Sequence, residues 1–181
     1  MSDTEHPIRL AVVVGSVRDG RFGPVVAAWF AARARRRAAF VVDVVDLAET
    51  GLDTGFAARL EAADAVVVVT PEYNHSFPGP LKTAVDACGG AWRGKPVGFV
   101  AYGGLSGGLR AVEHLRHVLA ELDAVGLRDT VSFHGAAGAF DPATGLPREA
   151  AADDAADVLL DALTWWSRTL RRAHDEQGVR A

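Results

Sequence analysis

The chain has 181 residues, 23% of them charged and 49% hydrophobic, with a formal net charge of −4. That length accommodates one domain with a full core, and the balance excludes a disordered chain. The mild negative charge offers no basic footprint for nucleic acid, and the single cysteine, Cys88, excludes an internal disulfide and suits a reducing compartment.

Short apolar runs alternate with helical segments along the chain. Ile8 to Val14 reads as the first strand. Pro24 to about Arg37 reads as a helix, with Pro24 suited to its first turn. "FVVDVVDL" reads as the second strand and "GFAARLEAA" as a short helix. "DAVVVVT" is apolar on both faces, as a central parallel strand should be. Pro80 to Cys88 reads as a helix, "KPVGFVAY" as the fourth strand, Gly107 to Val125 as a helix and "RDTVSFHG" as the fifth strand. The turn-rich "GAAGAFDPATGLPRE" then leads into a long final helix. Five strands alternating with helices imply one parallel sheet covered on both faces, in a single domain over residues 1–181. Ligands in such folds bind beyond the carboxyl ends of the strands, where the strand order reverses.

Three loops fall at such ends. "GSVRDGRFG" joins the first strand to its helix, with Ser16 as a hydroxyl donor and Arg18 and Arg21 as guanidinium forks matched to an oxyanion. Helix-start amides and the helix dipole add to them. The loop is neither a Walker motif nor GxGxxG. "TPEYNHSFPGPLKTAVDA" follows the third strand and offers a rigid turn, an aromatic plane and amides that can line a flat heterocycle. "YGGLSGG" follows the fourth strand, and its glycines let backbone amides approach a ligand closely.

In this order, "GSVR", the "PEYN" segment with its following Pro-Gly and Leu-Lys, and "GGLSGG" resemble the NAD(P)H-dependent FMN reductases of flavodoxin-like fold. The resemblance runs from the first strand to about the helix after the fourth, and "PEYN" is its specific part. It implies a sheet of order 2-1-3-4-5 and FMN as cofactor, with NADPH or NADH as electron donor. Ser16 and Arg18 would hold the FMN phosphate, with Arg21 and Gly23 beside them where many members carry serine and asparagine. Pro71, Glu72, Tyr73 and Asn74 would line the isoalloxazine, and Gly103, Gly104, Ser106 and Gly107 would contact its pyrimidine edge. Thr83 stands where asparagine is usual, and the connection between the second and third strands is short for the family. The reaction implied is hydride transfer to the flavin and then electron transfer to a quinone, azo compound, free flavin or similar small acceptor. The cofactor carries the chemistry, so no side chain is named as acid or base. A homodimer is implied, with a tetramer as the alternative assembly. An electron carrier without its own nicotinamide reaction and a non-catalytic protein of the same fold stay open.

Elsewhere the signals are structural. "ARARRR" at the end of the first helix reads as a solvated basic end, and Cys88 as a small packed hydrophobe. Of Trp165 and Trp166, adjacent on one helix, one is expected to be buried and the other exposed or at an interface. No Cys/His spacing suggests a metal. "MSDTEHPIRL" carries no signal pattern and the longest apolar runs are strand-sized, so the expectation is a cytoplasmic protein with no membrane partner.

Overall fold

The computed structural model describes residues 6–50 and 54–177. In chain order these form β1 (Ile8–Val14), α1 (Gly23–Arg35), β2 (Phe40–Asp46), α2 (Leu47–Thr50), α3 (Thr54–Glu61), β3 (Ala65–Pro71), α4 (Gly79–Ala87) and a 3₁₀ turn at Gly89–Trp92. Then follow β4 (Pro96–Gly103), α5 (Leu109–Glu121), β5 (Val125–His134), α6 (Ala136–Ala139) and α7 (Ala151–Gln177). The segment read for a signal pattern and the middle of the short connection after β2 lie partly outside the described residues.

All five strands pair in parallel, in the order β2-β1-β3-β4-β5. Every residue of β3 is buried, as its unbroken valine run anticipates. Val67 and Val69 enter the core shared with α1 and α7, and Val66 and Val68 enter the core on the opposite face with Leu81, Val85, Leu115 and Leu119. That alternation follows the pleat. Each valine so buried contributes about 1.5–3 kcal/mol to holding β3 between the two cores.

Two boundaries differ most from the sequence reading. The helix read through to Val125 ends at Glu121, because Asp123 takes φ 55 and the Ala124 N–H turns back to the Leu119 carbonyl. The fifth strand accordingly starts at Val125 rather than Arg128, and Val125 pairs with Pro96. Its register with β4 is broken by a bulge. Arg116 of α5 fills that bulge by donating to the Leu127 and Arg128 carbonyls and to Thr130 Oγ1.

The basic end of α1 is also not simply solvated. Arg33 pairs with Asp153 at 2.9 Å and donates through Nε to Asp157 at 2.9 Å. Arg37 reaches Asp157 at 2.9 Å and also pairs with Asp161. Trp29, buried in the core, donates Nε1–H to Asp153 at 3.2 Å. These contacts clamp α1 to α7 on one face of the sheet. Trp166 packs against that core while Trp165 is 58% exposed, as the adjacent pair requires. Cys88 is buried, with its thiol on the Ala84 carbonyl.

The α1–α7 clamp makes a pH prediction. The hydrogen bond from Arg33, then Arg37, holds the Asp157 carboxyl down at about 2, against a burial cost, where its ordinary value is 3.8. A depressed carboxyl stabilises the fold above its unfolded value and stops doing so as pH falls through the folded one. In urea denaturation Asp157→Asn is expected to lower the midpoint at neutral pH. The gap from the parent is expected to close between about pH 4 and pH 2, and a gap that persists at pH 2 contradicts the ion-pair origin.

Candidate functional site

The strand order reverses between β1 and β3, because the chain crosses outward from β1 to β2 and then back past β1 to β3. The Gly15 N–H extends the pairing one residue beyond β1 by donating to the Val69 carbonyl at 2.9 Å. The first loop (15–22) and the second (72–78) therefore leave the sheet side by side. The third (104–108) leaves next to the second, because Pro71 pairs with Tyr102.

Three of the expected residues meet at the first boundary. Ser16 is fully buried, and its Oγ lies 2.8 Å from the Tyr73 hydroxyl. The Arg18 guanidinium lies over the Tyr73 ring, 3.5 Å from its centroid. Such a cation over an aromatic face is worth about 0.5–1 kcal/mol where solvent reaches it. Tyr73 is thus held at two points, with its edge on one residue of the first loop and its face on another.

Arg21 turns away from this group. Its Nη2 pairs with Asp46 at the end of β2 at 2.6 Å, and Asp46 also accepts the Ala48 N–H at 3.0 Å. The hydrogen bond that Arg21 donates to Asp46 raises the Arg21 pKa further, against desolvation, so the guanidinium stays charged and tethers the loop to β2. Gly23 opens α1, and a Cβ there would stand 2.9 Å from Val14 Cγ1 and 3.0 Å from the Tyr102 hydroxyl. Gly23 therefore contributes backbone alone.

In the second loop, Tyr73 and Ser76 exchange both backbone hydrogen bonds, at 2.8 and 3.0 Å. Asn74 and His75 between them have φ of 52° and 69°, the left-handed pair of a type I′ turn. The turn fixes the direction of Tyr73 and leaves Asn74 exposed at the tip. His114 Nδ1 is 3.0 Å from Ser76 Oγ, and His75 Nε2 is 3.2 Å from Arg110 Nη1. The two histidines thus bind the loop to α5.

Glu72 and Ser106 hold each other. The Ser106 hydroxyl donates to the Glu72 carboxylate, which also accepts the Arg110 N–H at 3.2 Å and Arg110 Nη1 at 3.1 Å. Burial pushes the Glu72 carboxyl up, but the donors from Ser106 and Arg110 outweigh it and keep it below its ordinary value. These side chains lock the second loop to the third. Gly103 ends β4, and the Gly104 carbonyl accepts the Gly135 N–H at 3.0 Å. Gly107 has φ 62°, and a Cβ on it would overlap Ser132 Oγ at 2.3 Å and the His134 ring at 2.7 Å.

Sequence reasoning missed Arg110, Asp46 and Tyr102, whose roles depend on cross-loop contacts. Two buried side-chain atoms at this corner have no hydrogen-bond partner, Arg21 Nε and the Tyr102 hydroxyl. The Tyr102 hydroxyl and the first amides of α1, with Ser16 and Arg18, are the donor chemistry that a phosphate monoester needs. The residues present therefore fit the phosphate end of FMN. A cavity of about 350 Å³ lies elsewhere, beside β5, lined by Ser132, His134, Arg148, Glu149 and apolar side chains. It shares no residue with the three loops, although Ser132 and His134 of its lining reach the Gly107 and Leu105 carbonyls of the third. Among the described residues, no group of three or more His, Cys, Asp or Glu forms a metal site, and no helix is long and apolar enough to cross a membrane.

The glycines of the third loop separate cleanly by experiment. Gly107→Ala is expected to cost about 1–3 kcal/mol in urea denaturation, since it combines a left-handed backbone with an overlap. A Cβ on Gly104 meets nothing within 4 Å, so Gly104→Ala is expected to stay within about 0.5 kcal/mol of the parent. Equal losses would contradict the assigned loop geometry.

Comparison with known proteins agrees with this architecture. The profile of the family described as NADPH-dependent FMN reductase matches residues 8–138. An NAD(P)H-dependent FMN reductase of Schizosaccharomyces pombe is 32% identical over 130 residues, covering 61% of this chain and 64% of the relative. A quinone reductase of Escherichia coli K12 is 35% identical over 141 residues, covering 65% of this chain and 72% of the relative. Among solved structures, the flavoenzyme NAD(P)H:(acceptor) oxidoreductase FerB of Paracoccus denitrificans superposes with a TM-score of 0.70 at 21% identity, over 90% of this chain and 98% of that one. That likeness speaks for the flavodoxin-like fold alone. With the family profile spanning β1 through α6, the chain belongs to the NADPH-dependent FMN reductase family.

Proposed function

We propose that the protein is an FMN-dependent oxidoreductase that takes hydride from NADPH or NADH and passes electrons to a small acceptor such as a quinone, azo compound or free flavin. The observation that carries this reading is the convergence of Ser16, Arg18 and Tyr73 beside the start of α1, next to the buried Tyr102 hydroxyl. Family membership supports it, as do relatives whose own names are FMN reductase and quinone reductase.

When bound, FMN supplies the hydride- and electron-carrying chemistry. The chain's own residues bind and orient it. Ser16, Arg18 and the first amides of α1 hold the phosphate. The rigid Tyr73–Ser76 turn presents Pro71 to Asn74 to the isoalloxazine. The third loop offers backbone N–H groups from Gly104 to Gly107, held in place by the Glu72–Ser106 and Arg110 contacts. None of these steps needs a side chain to give or take a proton. The reading extends to a single-domain homodimer working in the cytoplasm, consistent with one buried thiol.

The test is an anaerobic absorbance spectrum of the FMN-reconstituted protein before and after addition of NADPH or NADH. Bleaching of the flavin bands within seconds is expected, and the faster nucleotide identifies the donor. Bound flavin that stays yellow contradicts the reductase reading and favours an electron carrier. In fluorescence titration Arg18→Ala is expected to weaken FMN binding by about 1–3 kcal/mol, the loss of one charge-assisted contact. An unchanged affinity removes Arg18 from the phosphate site.

A further inference from the structure

Tyr102, read from the sequence as the head of the third loop, is the penultimate residue of β4. Its ring packs edge-on against Phe22, with centroids 6.0 Å apart and planes at 72°, so the direction of its hydroxyl is fixed. That hydroxyl is directed beneath the first loop. The point where a Gly23 Cβ would stand is 3.0 Å from the Tyr102 oxygen and 3.9 Å from Ser16 Cβ. The residue is only 6% exposed, and its hydroxyl, which lies close to the Ser16 side chain and the Gly23 backbone, meets hydrogen-bond geometry with no described residue. A buried hydroxyl left unpaired costs free energy that an apolar residue of the same shape avoids. Phenylalanine is that residue, and the chain carries tyrosine.

We infer that Tyr102 is a positioning residue of the oxyanion cradle, one that acts through Ser16. Ser16 Oγ lies 2.8 Å from the Tyr73 hydroxyl. A serine hydroxyl has one proton to give and two lone pairs to fill. When Ser16 turns its proton to a phosphate, its lone pair is left for Tyr102, whose hydroxyl then gains the partner it lacks. Burial pushes the Tyr102 phenol up, with the neighbouring Tyr73 adding to the rise and Ser16, Arg21 and the Gly23 backbone opposing it, so it stays protonated and available as a donor. Ser16 then gives its proton to the anion and accepts from the Tyr102 phenol, with a second lone pair still free for Tyr73. This inference rests on the FMN reading above and concerns only the phosphate end of that site.

Riboflavin, which lacks the phosphate, separates this role from a structural one. In fluorescence titrations of the reconstituted chain, Tyr102→Phe is expected to weaken FMN binding roughly three- to tenfold, the range for one lost hydrogen bond, and to leave riboflavin binding unchanged. In a Ser16→Ala background the same substitution is expected to have no further effect on FMN. The melting temperature of the flavin-free Tyr102→Phe protein is expected to equal or exceed that of the parent. Equal weakening of FMN and riboflavin, no change in either, or additive losses in the double variant each overturn the inference. A lower flavin-free melting temperature does so too, since the hydroxyl would then already have its partner. If the parent protein binds neither flavin, it is the functional reading that fails, and the two failures are told apart.

Discussion

The parallel pairing of β1 with β3 is the constraint on which the rest of the site depends. It forces the chain to cross outward to β2 and return, and it leaves the carboxyl ends of β1 and β3 adjacent with no helix between them. The bond from Gly15 to Val69 carries that adjacency one residue past the strands. Ser16 can then reach Tyr73 across 57 positions of sequence without any long side chain spanning the gap. The valine run of β3, buried on both faces, makes this register costly to shift, since a slip of one residue would send every valine to the opposite core.

Around that seam, most of the polar side chains at the site are occupied with one another. Arg21 is paired with Asp46, Glu72 with Ser106 and Arg110, and His114 with Ser76. These contacts join each loop to a neighbouring element, so the three loops are held as one surface. A hydride-transfer site needs that kind of preorganisation more than it needs an acid or base, because the cofactor brings the reactive atoms. The groups left over are few and cluster at the start of α1, the place where an anion is best received.

Much of this was legible in the sequence, and the reasons are physical. The strands were readable because each is a short apolar run bounded by polar turns, and "DAVVVVT" could only be a strand covered on both sides. The helix after β4 was read too long, because Leu122, Ala124 and Val125 continue an apolar pattern while the left-handed turn at Asp123 leaves no such mark. Ser16, Arg18 and Tyr73 were found because their loops carry family motifs. Arg33, Arg37 and Arg110 were not understood, because their partners lie on other elements. A pairing between α1 and acids more than a hundred residues later is invisible to periodicity. Tyr102 was invisible for a related reason: its role depends on a missing hydrogen bond, which only the assembled corner reveals.

The central claim is that flavin mononucleotide is held by the three loops at the carboxyl ends of β1, β3 and β4. Amide hydrogen exchange with and without FMN, resolved along the chain, tests it most directly. The expected result is protection on adding FMN at residues 15–23, 72–76 and 103–108, with the remainder of the sheet unchanged. Protection confined to the cavity beside β5, around residues 147–155, would contradict it, as would no protection at all.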